Sequence, residues 1–294
     1  MKIFDCFMYF DEDLILDVRL NCLDKFVDYF VIIEANYNHK GERRKPQFKI
    51  ENFKNFKHKI IYFLVENQPS DLHIINKSSK DGMGKEIMNA LKRENYQRNQ
   101  IKLGLDKAND NDWIIISDLD EIPKLEDVNF NSIGNKFIFF KQYMIYYKFN
   151  LYLDEYPWIG SKACRMKDLK NPQWLRNIKD RQYPKWRFDT YFSDTKYTDI
   201  KILEDGGWHF SYVKKPKDIE LKLKSYLHHT EYELNPLGEK KIEDLINKHK
   251  SVYDLKADTR SNKFNTSNDL KKLELKFLPK YVQENINKYK DWII

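Results

Sequence analysis

Asp112-Trp113-Ile114-Ile115-Ile116-Ser117-Asp118-Leu119-Asp120-Glu121-Ile122-Pro123 is the stretch on which the reading of this chain turns. The apolar run from Trp113 to Ile116 is too short for a helix and rich in β-branched carbons, so it reads as a buried strand. Three carboxylates, Asp118, Asp120 and Glu121, follow at its carboxyl end, and Pro123 then stops any regular element. Two aspartates one residue apart offer oxygen ligands to a divalent cation. In open α/β sheets, ligands bind at that end of the strands. The competing reading is a turn whose acids are merely solvated, and the surrounding sequence has to decide.

Working outward, the same alternation of strand and helix precedes the stretch. Residues 2–10 are strand-like, Asp11 can cap a helix to about residue 24, and Leu14, Val18, Cys22 and Phe26 share a stripe on it. A second buried strand, Phe30-Val31-Ile32-Ile33-Glu34, leads into a polar loop with Gly41 and Pro46. A third strand is expected over 59–65 and a long helix over 85–107. This order predicts an α/β fold with a sheet largely parallel in its first half. Beyond Pro123 the aromatic-rich residues 136–153 predict longer, partly antiparallel strands, and 154–200 reads as loop-rich. A short strand near 201–203 follows, and from about 215 the pattern is mostly helical. The expected organisation is an α/β domain over 1–214 with a helical C-terminal extension over 215–294 packed on it as one compact unit.

A chain of 294 residues, 41% hydrophobic and 15% aromatic, can bury a large core, and its 33% of charged residues is too mixed in sign for disorder. The net charge of +7 suits an anionic ligand, but no nucleic-acid-binding module is present, and no nucleic-acid partner is expected. Cys6, Cys22 and Cys164 fit neither a zinc site nor a disulfide framework, which implies a reducing compartment. The start of the chain lacks the features of a signal peptide, and no stretch approaches the ~18 apolar residues of a membrane span. A soluble, cytoplasmic protein is expected.

Three further constellations carry chemistry. On the helix at 85–107, Ile87, Leu91, Ile101 and Leu105 form a stripe interrupted by Arg98, with Glu94 beside it. Either the two form an i, i+4 pair worth a few tenths of a kcal/mol, or Arg98 reaches a phosphate or the site carboxylates. Glu34 ends the second strand where a ribose or base edge can be bound, or is an ordinary acidic turn, with His39 and Lys45 on the following loop. In Glu204-Asp205-Gly206-Gly207-Trp208-His209, the glycines allow a sharp turn or close approach to a ligand. Glu204 or Asp205 can act as general base, and His209 can complete a metal site with the acids at 118–121. Trp158, Trp174, Trp186 and Trp208 can stack on sugars or simply fill the core. Arg165, Arg176, Arg181 and Arg187 can hold phosphates but cannot be ranked, and His228-His229 argues nothing.

Taken together, these blocks resemble glycosyltransferase family 17, whose eukaryotic members include β-1,4-mannosyl-glycoprotein 4-β-N-acetylglucosaminyltransferase. The resemblance rests on Ile3-Phe4-Asp5-Cys6-Phe7 with Asp17-Val18-Arg19-Leu20, on Phe30 to Asn36 with His39, Gly41 and Lys45-Pro46, and on Glu94 to Asn99. It continues through Ile116 to Pro123, Gly206 to Ser211, and Leu278-Pro279 with Tyr281-Val282. It implies a GT-A-type nucleotide-sugar-binding fold with a mixed central sheet, and inverting transfer of a sugar, GlcNAc first among candidates, from a UDP-sugar to a glycan hydroxyl. In that reading Asp118 and Asp120 bind ribose and Mn²⁺ or Mg²⁺, and His209 is a further metal or diphosphate contact. Asp205, with Glu204 second, is the base. Glu34, Arg98 and Lys45 serve the donor, and Trp208, Trp158 and Trp186 the acceptor. The eukaryotic relatives carry a membrane anchor and this chain shows none. A bacterial or viral enzyme is therefore expected, acting on a glycan or lipid-linked oligosaccharide with peripheral membrane contact. The alternatives are an Asp-x-Asp phosphohydrolase and a non-catalytic glycan- or polyanion-binding module.

Overall fold

A computed structural model describes residues 1–76, 82–226, 229–254, 264 and 266–294, so His228 lies outside the described residues. Four parallel strands form the half of the sheet that carries the acids: β1 (Ile3–Tyr9), β2 (Tyr29–Ala35), β3 (Ile60–Val65) and β4 (Trp113–Asp118). β1 lies between β2 and β4, with Cys6 opposite both Val31 and Ile116. Helices and turns cover both faces of these strands, which is why they read as nearly continuous apolar runs. Helix α1 (Asp13–Leu23) connects β1 to β2, and α2 (Gly82–Asn99) leads towards β4.

The second half is mixed. It contains β5 (Glu121–Pro123), β6 (Phe137–Tyr146), β7 (Leu151–Arg165), β8 (Ile200–Leu203) and β9 (Gly207–Ser211). The sheet runs β3-β2-β1-β4-β7-β6-β9-β5, with β8 also paired to β6. β4 joins the two halves by antiparallel pairing with β7. Residues expected to be loop-rich from 154 onward continue β7 as far as Arg165. The signal was hidden because the β6–β7 ladder shifts register between Gln142–Trp158 and Met144–Leu153, and Pro157 sits in that interruption, where its missing N–H is tolerated. Helix α3 (Pro172–Asn177) follows β7, its N-terminus capped by the Asn171 side chain, which accepts from Trp174 N–H.

Two helix readings change. The most deeply buried residues of α1 are Ile15, Leu16, Val18, Arg19, Leu20 and Leu23, because the helix is covered both by the sheet and by the chain's C-terminal segment. The expected long helix stops at Asn99 and tightens into a 3₁₀ turn over Gln100–Gly104. There a Cβ on Gly104 would lie 2.3 Å from Val31 Cγ1, so the backbone presses directly on β2. The buried positions of α2 are largely polar: Asn89, Arg93, Gln97 and Arg98.

After residue 215 come α4 (Pro216–Ser225), α5 (His229–Leu234), α6 (Glu239–Asn247), a two-residue strand β10 (Lys271–Lys272) paired to β7, and α7 (Lys280–Glu284). The last turn reaches α1, where Tyr289 donates to Asp17 at 2.6 Å. Among the described residues, no helix is long and apolar enough to cross a membrane. The three cysteines are free.

One buried guanidinium ties these parts together. Arg19 on α1 is excluded from solvent and forms a two-pronged pair with Asp5 on β1, at 2.7 Å and 2.5 Å. Its remaining nitrogen donates to the carbonyls of Asp118, Leu119 and Glu121 at 3.2, 3.0 and 2.7 Å. The turn carrying the acids is therefore held from behind. Removing one member of such a pair strands the other charge, which costs about 3–5 kcal/mol. Arg19→Met is expected to lower the unfolding free energy by about that amount, read from urea denaturation. Arg19→Lys, which keeps the charge but cannot reach five acceptors, is expected to recover only part of it.

Candidate active site

The carboxyl ends of β1, β2 and β4 open into a cleft of about 400 Å³, a size suited to a small-molecule ligand. The end of β1 supplies Tyr9 and the residue after it, Phe10, the segment after β2 supplies Tyr37, Asn38 and His39, and α2 supplies Glu94, Gln97 and Arg98. β4 and its turn supply Asp118, Leu119 and Asp120. The far wall is Trp158 of β7, His209 of β9, and Tyr212, Lys222, Tyr226 and Tyr253 from the later part of the chain.

Asp118 is clamped. Arg98 donates to its Oδ1 at 2.9 Å and Arg176 to its Oδ2 at 3.2 Å, although 38% of the side chain stays open to the cleft. Burial pushes the Asp118 carboxyl up, but the two arginines outweigh it and hold it well below the usual carboxylate range. Arg98 also donates to Glu94 at 2.8 Å, so both readings of the α2 anomaly hold at once. Burial raises Glu94 as well, and Arg98 and then His39 bring it below its ordinary value. Burial pushes the His39 imidazole itself down.

Glu121 faces inward as a brace. It accepts from Arg176 at 2.7 and 2.9 Å, from Trp158 Nε1 at 2.7 Å and from Asp118 N–H at 2.9 Å. Arg176, unranked among the arginines of the sequence, is thus the one that reaches the site, carried there by α3.

Asp120 has a different setting. Its Oδ1 lies 3.6 Å from His209 Nε2, and its Oδ2 accepts from Lys222 at 3.3 Å. The Asp120 carbonyl accepts from Phe210 N–H at 2.8 Å, and Glu121 stands opposite His209 in the β5–β9 register. These contacts fix the two strands with His209 beside the acid turn. Lys222, on α4, also sits 3.5 Å from Glu12 Oε1. Burial pulls the Lys222 amine down, but Asp120 and Glu12 more than reverse this and hold it charged. Burial likewise raises Glu12, and Lys214 and Lys222 together bring it down to about 2.

The expected site residues divide. Arg98, Asp118, Asp120, His209 and Trp158 line the cleft. Glu34 does not: it is fully buried and accepts from Arg44, from the N–H groups of Gln47 and Phe48, and from Tyr62, so it organises the loop after β2. Lys45 is exposed outside the cleft, and Arg44 takes the cleft-facing place, its guanidinium 4.0 Å over the Phe10 ring.

Glu204 and Asp205 are exposed, pairing with Lys141 and Lys124 at the end of β9 away from Ser211. The expected base position is therefore corrected: strand β9 carries His209 into the cleft and leaves its acidic leader outside. Gly206 and Gly207 approach neighbouring backbone rather than a ligand, and a Cβ on Gly207 would lie 2.2 Å from Ile122 O at φ 123°. Trp208 is core, donating to Phe277 O at 2.7 Å, and Trp186 is on an exposed loop outside the cleft.

The metal set also changes. Among the described residues, no three His, Cys, Asp or Glu side chains converge as a metal site, and both Asp118 oxygens are engaged by arginine. Glu12 and Lys222 were missed. Nothing in their local sequence marks them, since they meet across the fold.

The family model for glycosyltransferase family 17 matches residues 1–293. The chain belongs to glycosyltransferase family 17. It is an enzyme of glycosyl transfer, with a sugar donor and a glycan acceptor as the family's substrates. A comparison with curated proteins gave no match.

The paired acids set an acid limit. Asp118 and Glu94 have folded-state values below their unfolded ones. Their pairing thus stabilises the fold fully above about pH 4 and is lost as pH falls through the lowered values. Arg176→Met is expected to release Asp118 towards the ordinary range, so that the variant is less stable than the wild type above about pH 4 and loses less stability on acidification below it, measured by urea denaturation across about pH 2–6.

Proposed function

We propose that the cleft is a GT-A-type site for metal-dependent, inverting transfer of a sugar, GlcNAc first, from a UDP-sugar to a hydroxyl of a glycan or lipid-linked oligosaccharide. The observation that carries this reading is Asp120, held at the cleft floor between His209 and Lys222. Glu12, Glu94, Asp118, Asp120 and Glu121 are answered there by Arg98, Arg176, Lys222 and Lys214, which also pairs with Asp11, and Arg44 faces the cleft from its pair with Glu34. An anionic diphosphate would need further positive charge in such surroundings.

Asp120 and His209 offer one oxygen and one nitrogen donor, and His209 Nδ1 is a buried atom with no partner. The Asp120 carboxylate suits Mn²⁺ or Mg²⁺, since Mg²⁺ is bound through one or two carboxylates together with substrate phosphates, and His209 stands beside it. Such an ion supplies neutralisation of the departing diphosphate. Of the residues themselves, Asp118 is kept ionised and oriented by its two arginines, ready to accept from ribose hydroxyls. Lys222 adds positive charge beside Asp120, where the leaving group gains negative charge. Trp158 offers a ring for a sugar to pack on. Glu12 lines the cleft, like Asp120 without an arginine on it, and it takes the place of the expected Asp205 as general base for the acceptor hydroxyl. A phosphohydrolase needs Asp118 as a free nucleophile, and the double arginine clamp argues against that.

Transfer or donor hydrolysis with a panel of nucleotide sugars, with and without Mn²⁺, tests the reading. Asp120→Asn is expected to lower kcat/KM by about a hundredfold or more, the scale of losing one preorganised electrostatic contact. Glu12→Gln is expected to lower kcat with little change in donor KM, while Asp205→Asn keeps both. Full activity in Asp120→Asn, or no turnover of any UDP-sugar, would sink the proposal.

A further inference from the structure

Immediately after α3 the chain makes an excursion that ends at β8. Its tip exposes four large rings within seven residues: Trp186 (77%), Phe188 (80%), Tyr191 (72%) and Phe192 (93%). The exposure is built in, because the base of the excursion is fastened. Trp174 Nε1 donates to Asp194 O at 2.7 Å, Lys179 N–H to Thr195 O at 2.8 Å, and Thr190 Oγ1 to Arg187 O at 2.6 Å. Tyr183 is buried beneath it, with Arg181 and Arg187 stacked on its ring.

The charge on this surface is one-sided once pairs are removed. Asp180 is taken by Lys162 at 2.6 Å, Asp189 by Arg187 and Lys196 at 2.6 and 2.7 Å, and Asp194 by Lys170 at 2.5 Å. Lys179, Arg181 and Lys185 are exposed and have no carboxylate partner among the described residues. A projecting group of Trp, Tyr and Phe rings with uncompensated cations around it is the composition that settles at a lipid headgroup boundary. A second copy of the chain docking on the same patch would oppose these cations to one another. The two phenylalanines have no polar edge with which to select a sugar.

We propose that the 179–196 excursion is a bilayer-docking surface that seats its aromatic tip among anionic lipid headgroups. The inference stands apart from the choice of donor. Where sugar transfer holds, it says that the acceptor is presented at a membrane surface, since Arg176, which holds Asp118, stands on the short helix from which the excursion leaves.

Flotation of the full chain with phosphatidylcholine vesicles, with and without phosphatidylglycerol, tests this. Binding to the phosphatidylglycerol-containing vesicles is expected, weakened by added salt. Phe188→Ser with Phe192→Ser is expected to reduce it by about tenfold or more while the Tm is kept, because neither ring is part of the core. Equal binding by wild type and variant, or none by the wild type, overturns the proposal. So does a lipid-free dimer abolished by the same substitutions. The assay contains no sugar nucleotide, so its failure and the failure of the transferase reading are separately visible.

Discussion

A charge that never meets water holds the acid turn in place. Arg19 directs all three of its nitrogens at Asp5 and at three carbonyls of the acid turn. Carbonyls that point inward to a common donor force the intervening side chains outward, and the side chains in question are Asp118 and Asp120. The pair is a poor way to gain stability, since its desolvation offsets most of its attraction. What it provides is geometry: the carboxylates cannot drift without exposing a buried cation. The blocks around Asp5 and Arg19 that support the family resemblance are thus scaffold for the acid turn, and neither residue lines the cleft.

The acids around the site serve by their degree of burial. Glu34 and Glu121 are wholly enclosed and saturated with donors, so they shape backbone and fix neighbours. Asp118 is half-committed, with arginine on both oxygens and an open face. Asp120 and Glu12 share Lys222, which arrives from α4, more than 100 positions after Asp120. The cleft is therefore completed by the part of the chain beyond residue 215, and the acid turn alone would have no counter-cation on the Asp120 side. The same contact makes the later helices a part of the site rather than an appendage to it.

Legibility in the sequence followed the physics of each element. The parallel strands were plain because burial on both faces leaves runs such as Trp113 to Ile116 uninterrupted. β7 was not, because an interrupted ladder and half-exposed residues erase alternation. Arg98 was legible as a charge in apolar surroundings, where an unpaired group must have a partner, the acid turn from its place at the end of a buried strand, and His209 from the glycines and acids beside it. Glu12, Lys222 and the rank of Arg176 were invisible, since their partners lie on other elements. The error over Asp205 has one cause: nearness to His209 along the chain was read as nearness in space. A strand advances about 3.3 Å per residue, so four residues carry the backbone from the rim of the sheet to the cleft.

Arg98 shows why some alternatives read from sequence need not compete. A pair with Glu94 on the same helix and a contact with a site carboxylate were two explanations for one misplaced charge. The guanidinium makes both, and each supports the other. Glu94 restrains the side chain along the helix, and that restraint aims its remaining valence at Asp118. The polar buried face of α2 follows from the same logic. A helix packed only on a sheet shows an apolar stripe, whereas one that also walls a cleft must break the stripe where the ligand space begins. On α2 the break comes at Arg93, Gln97 and Arg98, directly above the carboxyl ends of β1 and β2, and the interruption in the pattern marks the cleft wall more sharply than the pattern itself marks the core.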